Sequence, residues 1–171
     1  AFMQIGGNPA TDNCFELGLN NDGSLYVYNI REGSSYCTDP SEYFVKPGVA
    51  EYEIEAEFIH EFIRNRSKKF AYTPIIASGN NANVLHYIDN NKQCKAGDLL
   101  LLDVAAEYAN YSSDMTRTIP VSGQFSVRQK EVYNAVNRVK NEATKMLIPG
   151  TLWADYHVEV GKIMTSELLK L

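Results

Sequence analysis

The chain has 171 residues, one domain's worth of polypeptide or slightly more. Its 44% apolar and 22% charged content suits a globular protein with a core, and its net charge of −5 argues against a phosphate-binding surface and hence against nucleic acid as a partner. No apolar run approaches the ~20 residues that span a bilayer, no signal-like segment opens the chain, and Cys14, Cys37 and Cys94 form neither a zinc pattern nor a disulfide framework. These features together predict a reduced, cytoplasmic protein without a membrane partner.

Residues 1–43 are dense in turn formers. NPATDN at 8–13 and LNNDGS at 19–24 punctuate them, and Asn21-Asp22-Gly23 is placed to join strands Phe15–Leu19 and Leu25–Ile30 as a hairpin. Gly6-Gly7 is too short to make a phosphate loop. After Pro47-Gly48, apolar residues Ile54, Phe58, Ile59, Phe62 and Ile63 recur at helical steps, predicting a helix from about Tyr52 to Arg66. Glu51, Glu53, Glu55 and Glu57 suit its positive end, and Arg64, Arg66, Lys68 and Lys69 its negative end. His60 falls among its polar positions and reads as a surface histidine.

Four strands follow in expectation: Phe70–Ser78 with Pro74 inside it, Val84–Ile88 carrying His86, Asp98–Ala106 and Asp114–Val121. Short links between them favour an antiparallel sheet of hairpin neighbours. Ser126 and Gln129 then have capping-box spacing. The helix they open runs to about Leu147 on a stripe of Val132, Val136, Val139, Ala143 and Met146, and Pro149-Gly150 ends it. A last helix starts near Trp153 with Tyr156, Val160, Ile163, Met164 and Leu168 on one side and His157 on the surface. It is still running at Leu171, so the chain reads as a fragment.

The chemistry concentrates in DLLLLDVAAEYANYSSDMTRTIPV, residues 98–121. This is a hairpin pattern with one acid on each strand. A turn near Tyr108–Asn110 puts Asp103 and Asp114 at or near opposite positions, where like charges destabilise the ladder. A shared proton or a hard divalent cation could offset that repulsion. On spacing alone, two solvated acids near a turn remain the simpler reading, and His86 alone reads as a half-buried strand histidine.

Taken together, IIASGNNANVLHYIDNN, GDLLLLDVAAEY and YSSDMTRTIPVSGQF resemble the aminopeptidase P and prolidase group of metallopeptidases, and FVKPGVAEYEIEAEFIHEF resembles the helix that precedes their sheet. The resemblance covers residues 44–171 and is closest to Xaa-Pro aminopeptidases. It implies an α+β fold: the first half of a pita-bread catalytic domain, an antiparallel sheet with helices on one face, after a poorly matched segment 1–43. It implies two divalent metal ions, manganese first and zinc or cobalt next, held by Asp103 and Asp114. His86 matches a catalytic and substrate-binding histidine, and Tyr72 a tyrosine beside the metals that also contributes to substrate binding. The implied substrate is a peptide with proline in second position, and the implied full-length protein a homo-oligomer. A further histidine and two glutamate ligands are expected downstream of Leu171. Two other readings stay open: a non-catalytic binding module derived from the same fold, and, among enzymes, prolidase.

Overall fold

The computed structural model describes the backbone of residues 2–4, 14–19 and 25–30, and residues 45–171 in full. Three N-terminal strands, β1 (Phe2–Gln4), β2 (Cys14–Leu19) and β3 (Leu25–Ile30), form an antiparallel meander. The predicted hairpin is present, with Leu19 opposite Leu25. The Asn21-Asp22-Gly23 turn lies outside the described residues.

Helix α1 spans Glu51–Arg64. Glu53 reaches back to accept from the Ala50 amide at 2.7 Å, half of a capping box, since alanine offers no acceptor in return. Ile54, Phe58 and Phe62 are buried as the spacing predicts, but Ile63 is 59% exposed. The buried stripe is therefore narrower than the apolar one. It packs against Ile76, Leu100, Leu102 and Ile119, which share one face of a sheet. Each such side chain contributes roughly 1.5–3 kcal/mol by leaving water.

That sheet is built differently from the predicted four-strand array. Residues 70–78 do not form one strand. They split into β4 (Lys69–Phe70) and β5 (Ile75–Ser78), because Pro74 has no amide to give a ladder. The run 98–106 likewise divides into β6 (Leu99–Asp103) and β7 (Ala106–Tyr108), and the returning arm into β8 (Tyr111–Ser112) and β9 (Thr116–Pro120). Two three-stranded antiparallel sheets result, ordered β4-β7-β8 and β5-β6-β9. One hairpin ribbon runs through both: Leu99 faces Pro120 at its base and Tyr108 faces Tyr111 at its tip, in unbroken register.

The segment Val84–Ile88 is a turn, not a strand. The outward amides of β5 that such a strand would need are already taken by side chains. The Ile76 amide donates to Asn90 Oδ1 at 3.0 Å and the Ser78 amide to Glu51 Oε1 at 2.7 Å. An edge closed by carboxylate and carboxamide oxygens accepts no further strand. The chain instead makes a 3₁₀ turn at Gly79–Asn83 and a second turn in which the Tyr87 amide donates to the Val84 carbonyl at 3.3 Å.

Residues 125–171 form a compact unit of their own, a helical hairpin of α2 (Val127–Lys145) and α3 (Trp153–Leu168). The predicted capping box is made: the Gln129 amide donates to Ser126 Oγ at 3.2 Å, and the Ser126 amide to Gln129 Oε1 at 2.8 Å. Ala135, Val139 and Ala143 are the buried positions of α2, while Val132 and Val136 of the predicted stripe are exposed. Arg138 Nε ties the two helices by donating to Glu167 Oε2 at 2.7 Å. Among the described residues, no helix is long and apolar enough to cross a membrane.

Candidate functional site

The β5-β6-β9 sheet has two unlike faces. Leu100 and Leu102 enter the core, and the alternation of a strand sends Leu101 and Asp103 to the opposite face. Asp103 therefore emerges where the core strand ends. It faces Thr116, not Asp114. The unbroken register sets Asp114 two residues before Thr116, on the same side of the ribbon. The two acids are diagonal neighbours, a looser pairing than the directly opposite one.

What brings them together is Tyr72. Phe70 faces Ala106, so a constant register would put Ile75 opposite Leu101; it faces Asp103 instead. The pairing slips by two residues across 71–74, and this bulge re-aims Tyr72. Its hydroxyl lies 2.5 Å from Asp103 Oδ1 and 3.1 Å from Asp114 Oδ1. Burial first, and then the bond to Asp103, hold this phenol well above its ordinary pKa. It is a neutral donor whose single proton is shared between two acids.

His86 lines the same cleft. Tyr72, Thr73, Ile75, His86, Ile88, Asp103 and Asp114 surround a space of about 390 Å³. A second space of about 320 Å³ continues beside it under the turn, with Ala82, Val84 and Leu85 against Ala77 and Leu101. His86 and Asp103 belong to both, so an acidic end adjoins an apolar one. His86 is exposed, with φ of +54°, in the left-handed region that few non-glycine residues adopt, histidine more often than most. The structure thus gathers all four predicted groups, Tyr72, His86, Asp103 and Asp114. His60 and His157 are exposed on their helices, as expected.

Sequence reasoning missed Glu51, reading it only as an acid suited to a helix start. Its side chain is fully buried. Oε1 accepts from the Ser78 amide and hydroxyl, both at 2.7 Å, and from Asn81 Nδ2 at 3.1 Å. Oε2 accepts from the Tyr87 hydroxyl at 2.7 Å and the Lys92 amide at 3.0 Å. Burial alone raises a carboxyl pKa, but these donors, Tyr87 foremost, outweigh it and leave Glu51 below its usual range. No local pattern in the sequence marks a residue whose partners are so far along the chain.

The carboxylates of Asp103 and Asp114 are hard oxygen donors, which fit a divalent cation of the magnesium, calcium or manganese type. They are two donors of the several that such a cation takes. Among the described residues, no group of three or more His, Cys, Asp or Glu side chains is placed to hold a metal.

Comparison with known proteins gives a consistent result. Residues 30–170 match the model of metallopeptidase family M24. The chain is 40% identical over 126 residues to the Xaa-Pro aminopeptidases of Haemophilus influenzae and Escherichia coli, covering 74% of this chain and 29% of each relative. A solved structure of Escherichia coli aminopeptidase P superposes with a TM-score of 0.72 at 39% identity, again over 74% of this chain and 29% of that one. Pseudomonas aeruginosa aminopeptidase PepP gives a TM-score of 0.72 at 38% identity over the same shares. The α+β arrangement described above is therefore part of the pita-bread fold, and the chain spans less than a third of the length of these relatives.

Proposed function

Because this chain belongs to metallopeptidase family M24, we propose that it supplies one wall of a dimetal site that hydrolyses the peptide bond between an N-terminal residue and a proline. The observation that carries this reading is the convergence of Asp103 and Asp114 on the Tyr72 hydroxyl in a cleft that also contains His86. Residues 44–171 are, on this reading, the first half of the catalytic domain.

Asp103 and Asp114 would hold two divalent ions, manganese first, with zinc or cobalt able to substitute. Such ions supply Lewis-acid polarisation of the scissile carbonyl and a nucleophile at neutral pH. The chain's own groups do the rest. Tyr72 orients Asp103 through its hydrogen bond, fixing which carboxylate oxygen is free to bind. His86, an exposed imidazole in the same cleft, binds the peptide and donates a hydrogen bond to the oxygen that gains charge as the carbonyl is attacked. The apolar space under Val84 and Leu85 lies beside this chemistry and suits a side chain of the peptide. A reducing, cytoplasmic location belongs to the same reading, resting on three cysteines spaced as neither a zinc pattern nor a disulfide framework. The full-length protein is, on the same reading, a homo-oligomer.

Two donors do not fix two ions, so the remaining ligands come from beyond these residues. Manganese added to the 171-residue chain is expected to broaden the NMR signals around Asp103 and Asp114 selectively, and Asp103→Asn to abolish that broadening. Broadening centred elsewhere overturns the assignment. Substantial turnover of an Xaa-Pro peptide by this chain alone with manganese would show that no further ligands are needed. In the whole protein, equal hydrolysis of Xaa-Pro and Xaa-Ala peptides sinks the proline preference.

A further inference from the structure

Glu51 is the one fully buried carboxylate in the described part of the chain, and the chemistry proposed above leaves it unused. Its donors are not scattered. Ser78 and Asn81 come just before His86, and Tyr87 and Lys92 just after it. His86 itself makes no hydrogen bond to any described residue. His86 also holds a positive φ, a conformation that a non-glycine residue keeps where its surroundings fix the backbone. Here those surroundings are a ring of donors closed on one carboxylate.

We propose that Glu51 is the positioning residue of this site: its carboxylate, anchored on helix α1, sets where His86 stands in the cleft that it shares with Asp103 and Asp114. Asn90 braces the same loop from below. It accepts from the Ile76 amide at 3.0 Å and donates to the Pro74 carbonyl at 3.0 Å and to Glu55 Oε2 at 2.8 Å. The loop is thereby tied to α1 at two successive turns of the helix, through Glu51 and Glu55. Only a carboxylate meets the demand at position 51. Both oxygens face donors alone, and a glutamine would turn an NH₂ group toward one set of them. Asn90, through the Pro74 carbonyl, also holds the end of the bulge that aims Tyr72.

The inference rests on the peptidase reading only for what His86 does to a substrate; where His86 stands can be measured without any activity. Three histidines make the experiment self-controlled, since the exposed His60 lies at the far end of α1 from Glu51 and the exposed His157 belongs to α3, in the other compact unit. Imidazole proton signals are recorded for the 171-residue chain, for Tyr87→Phe and for Glu51→Gln. Tyr87→Phe keeps the ring's volume and removes one donor. The expected result is a shifted and broadened His86 signal in both variants, larger in Glu51→Gln, with the His60 and His157 signals unmoved. If Glu51→Gln does not fold, Tyr87→Phe decides. An unmoved His86 signal in folded Tyr87→Phe overturns the proposal and reduces Glu51 to a stabilising group. In the whole protein, Tyr87→Phe is expected to lower kcat/KM for an Xaa-Pro peptide, through both a lower kcat and a higher KM, because His86 serves both binding and charge stabilisation on that reading. Absence of hydrolysis by the parent protein refutes the peptidase reading and leaves the His86 result standing.

Discussion

Tyr72 shows how much one residue decides. Two carboxylates on one side of a ribbon repel each other, and among the described residues the Tyr72 phenol is the one hydrogen-bond donor to either of them. Removing a hydrogen bond to a charged group costs about 1.5–3 kcal/mol. Tyr72→Phe is therefore expected to destabilise the chain by about that amount in chemical denaturation. It should also weaken manganese binding by roughly 10–100-fold, the usual effect of losing a group that orients a metal ligand. Calorimetric titration checks the second figure; unchanged affinity would mean that Asp103 is oriented by something else. Glu51 and Tyr87 shape the response to pH in opposite limbs. The folded state holds Glu51 below its reference value of 4.5, so its stabilisation is complete above that pH and fades as pH falls through the depressed value. Burial, then the bond to Glu51, raises Tyr87 from 10.0 to about 12, so its contribution is complete below pH 10 and fades as pH rises toward 12. Melting curves across pH should show both limbs. Tyr87→Phe should flatten the alkaline one, apart from the parts due to Tyr72, also held above its ordinary value, and to Cys94, whose buried thiol is raised from 9.0 to about 11.

At the level of elements, the hairpin ribbon is the scaffold, and its tip carries a visible imperfection. Ala109 and Asn110 both have positive φ, +52° and +69°, as a two-residue type I′ turn requires. Asparagine tolerates this conformation and alanine does not, at a cost of about 1 kcal/mol. Ala109→Gly should recover about that much and raise Tm by roughly 2–4 °C. An unchanged or lower Tm would show that the extra freedom of glycine in the unfolded chain outweighs the relief. The sequence YANY carries a weaker turn signal than Asn-Gly, yet the register it closes carries through to Leu99 opposite Pro120. The other decisive element is an interruption. Pro74 breaks an otherwise continuous run, and the resulting slip presents Tyr72 to the acids. Proline inside a strand pattern is legible as an edge or a bulge. The size of the slip is not, because it depends on which residues of β6 and β7 the two halves meet.

On the scale of the whole molecule, the helical hairpin of residues 125–171 stands out for its uncovered apolar surface. Leu152 is 68% exposed, Trp153 65%, Ile148 63% and Leu147 54%. They cluster at the connection between α2 and α3, where Trp153 stacks on Tyr156 with ring centroids 5.1 Å apart. Contiguous patches of this kind drive association. Light scattering of the 171-residue chain should show self-association that rises with concentration, and the pair Ile148→Lys and Trp153→Ser should suppress it. A monodisperse parent chain would remove the patch from consideration.

The sequence alone determined the kind of element at most positions, through signals that are local: helical spacing in 51–64, the Ser126–Gln129 cap, and the apolar run that delivers Asp103 at the end of a core strand. It also offered the candidate groups, through motifs that resemble a family and can be read in order, with His86, Asp103 and Asp114 among them. Only the tertiary structure decided how those groups meet. Asp103 and Asp114 are diagonal because register is set by partners on another strand, and the turn at 84–88 is not a strand because Asn90 and Glu51 occupy the edge that it would have paired with. Glu51 was invisible as a hub for the same reason. Its donors lie 27 to 41 residues away, and no periodicity within a helix records what a distant loop will bring to it.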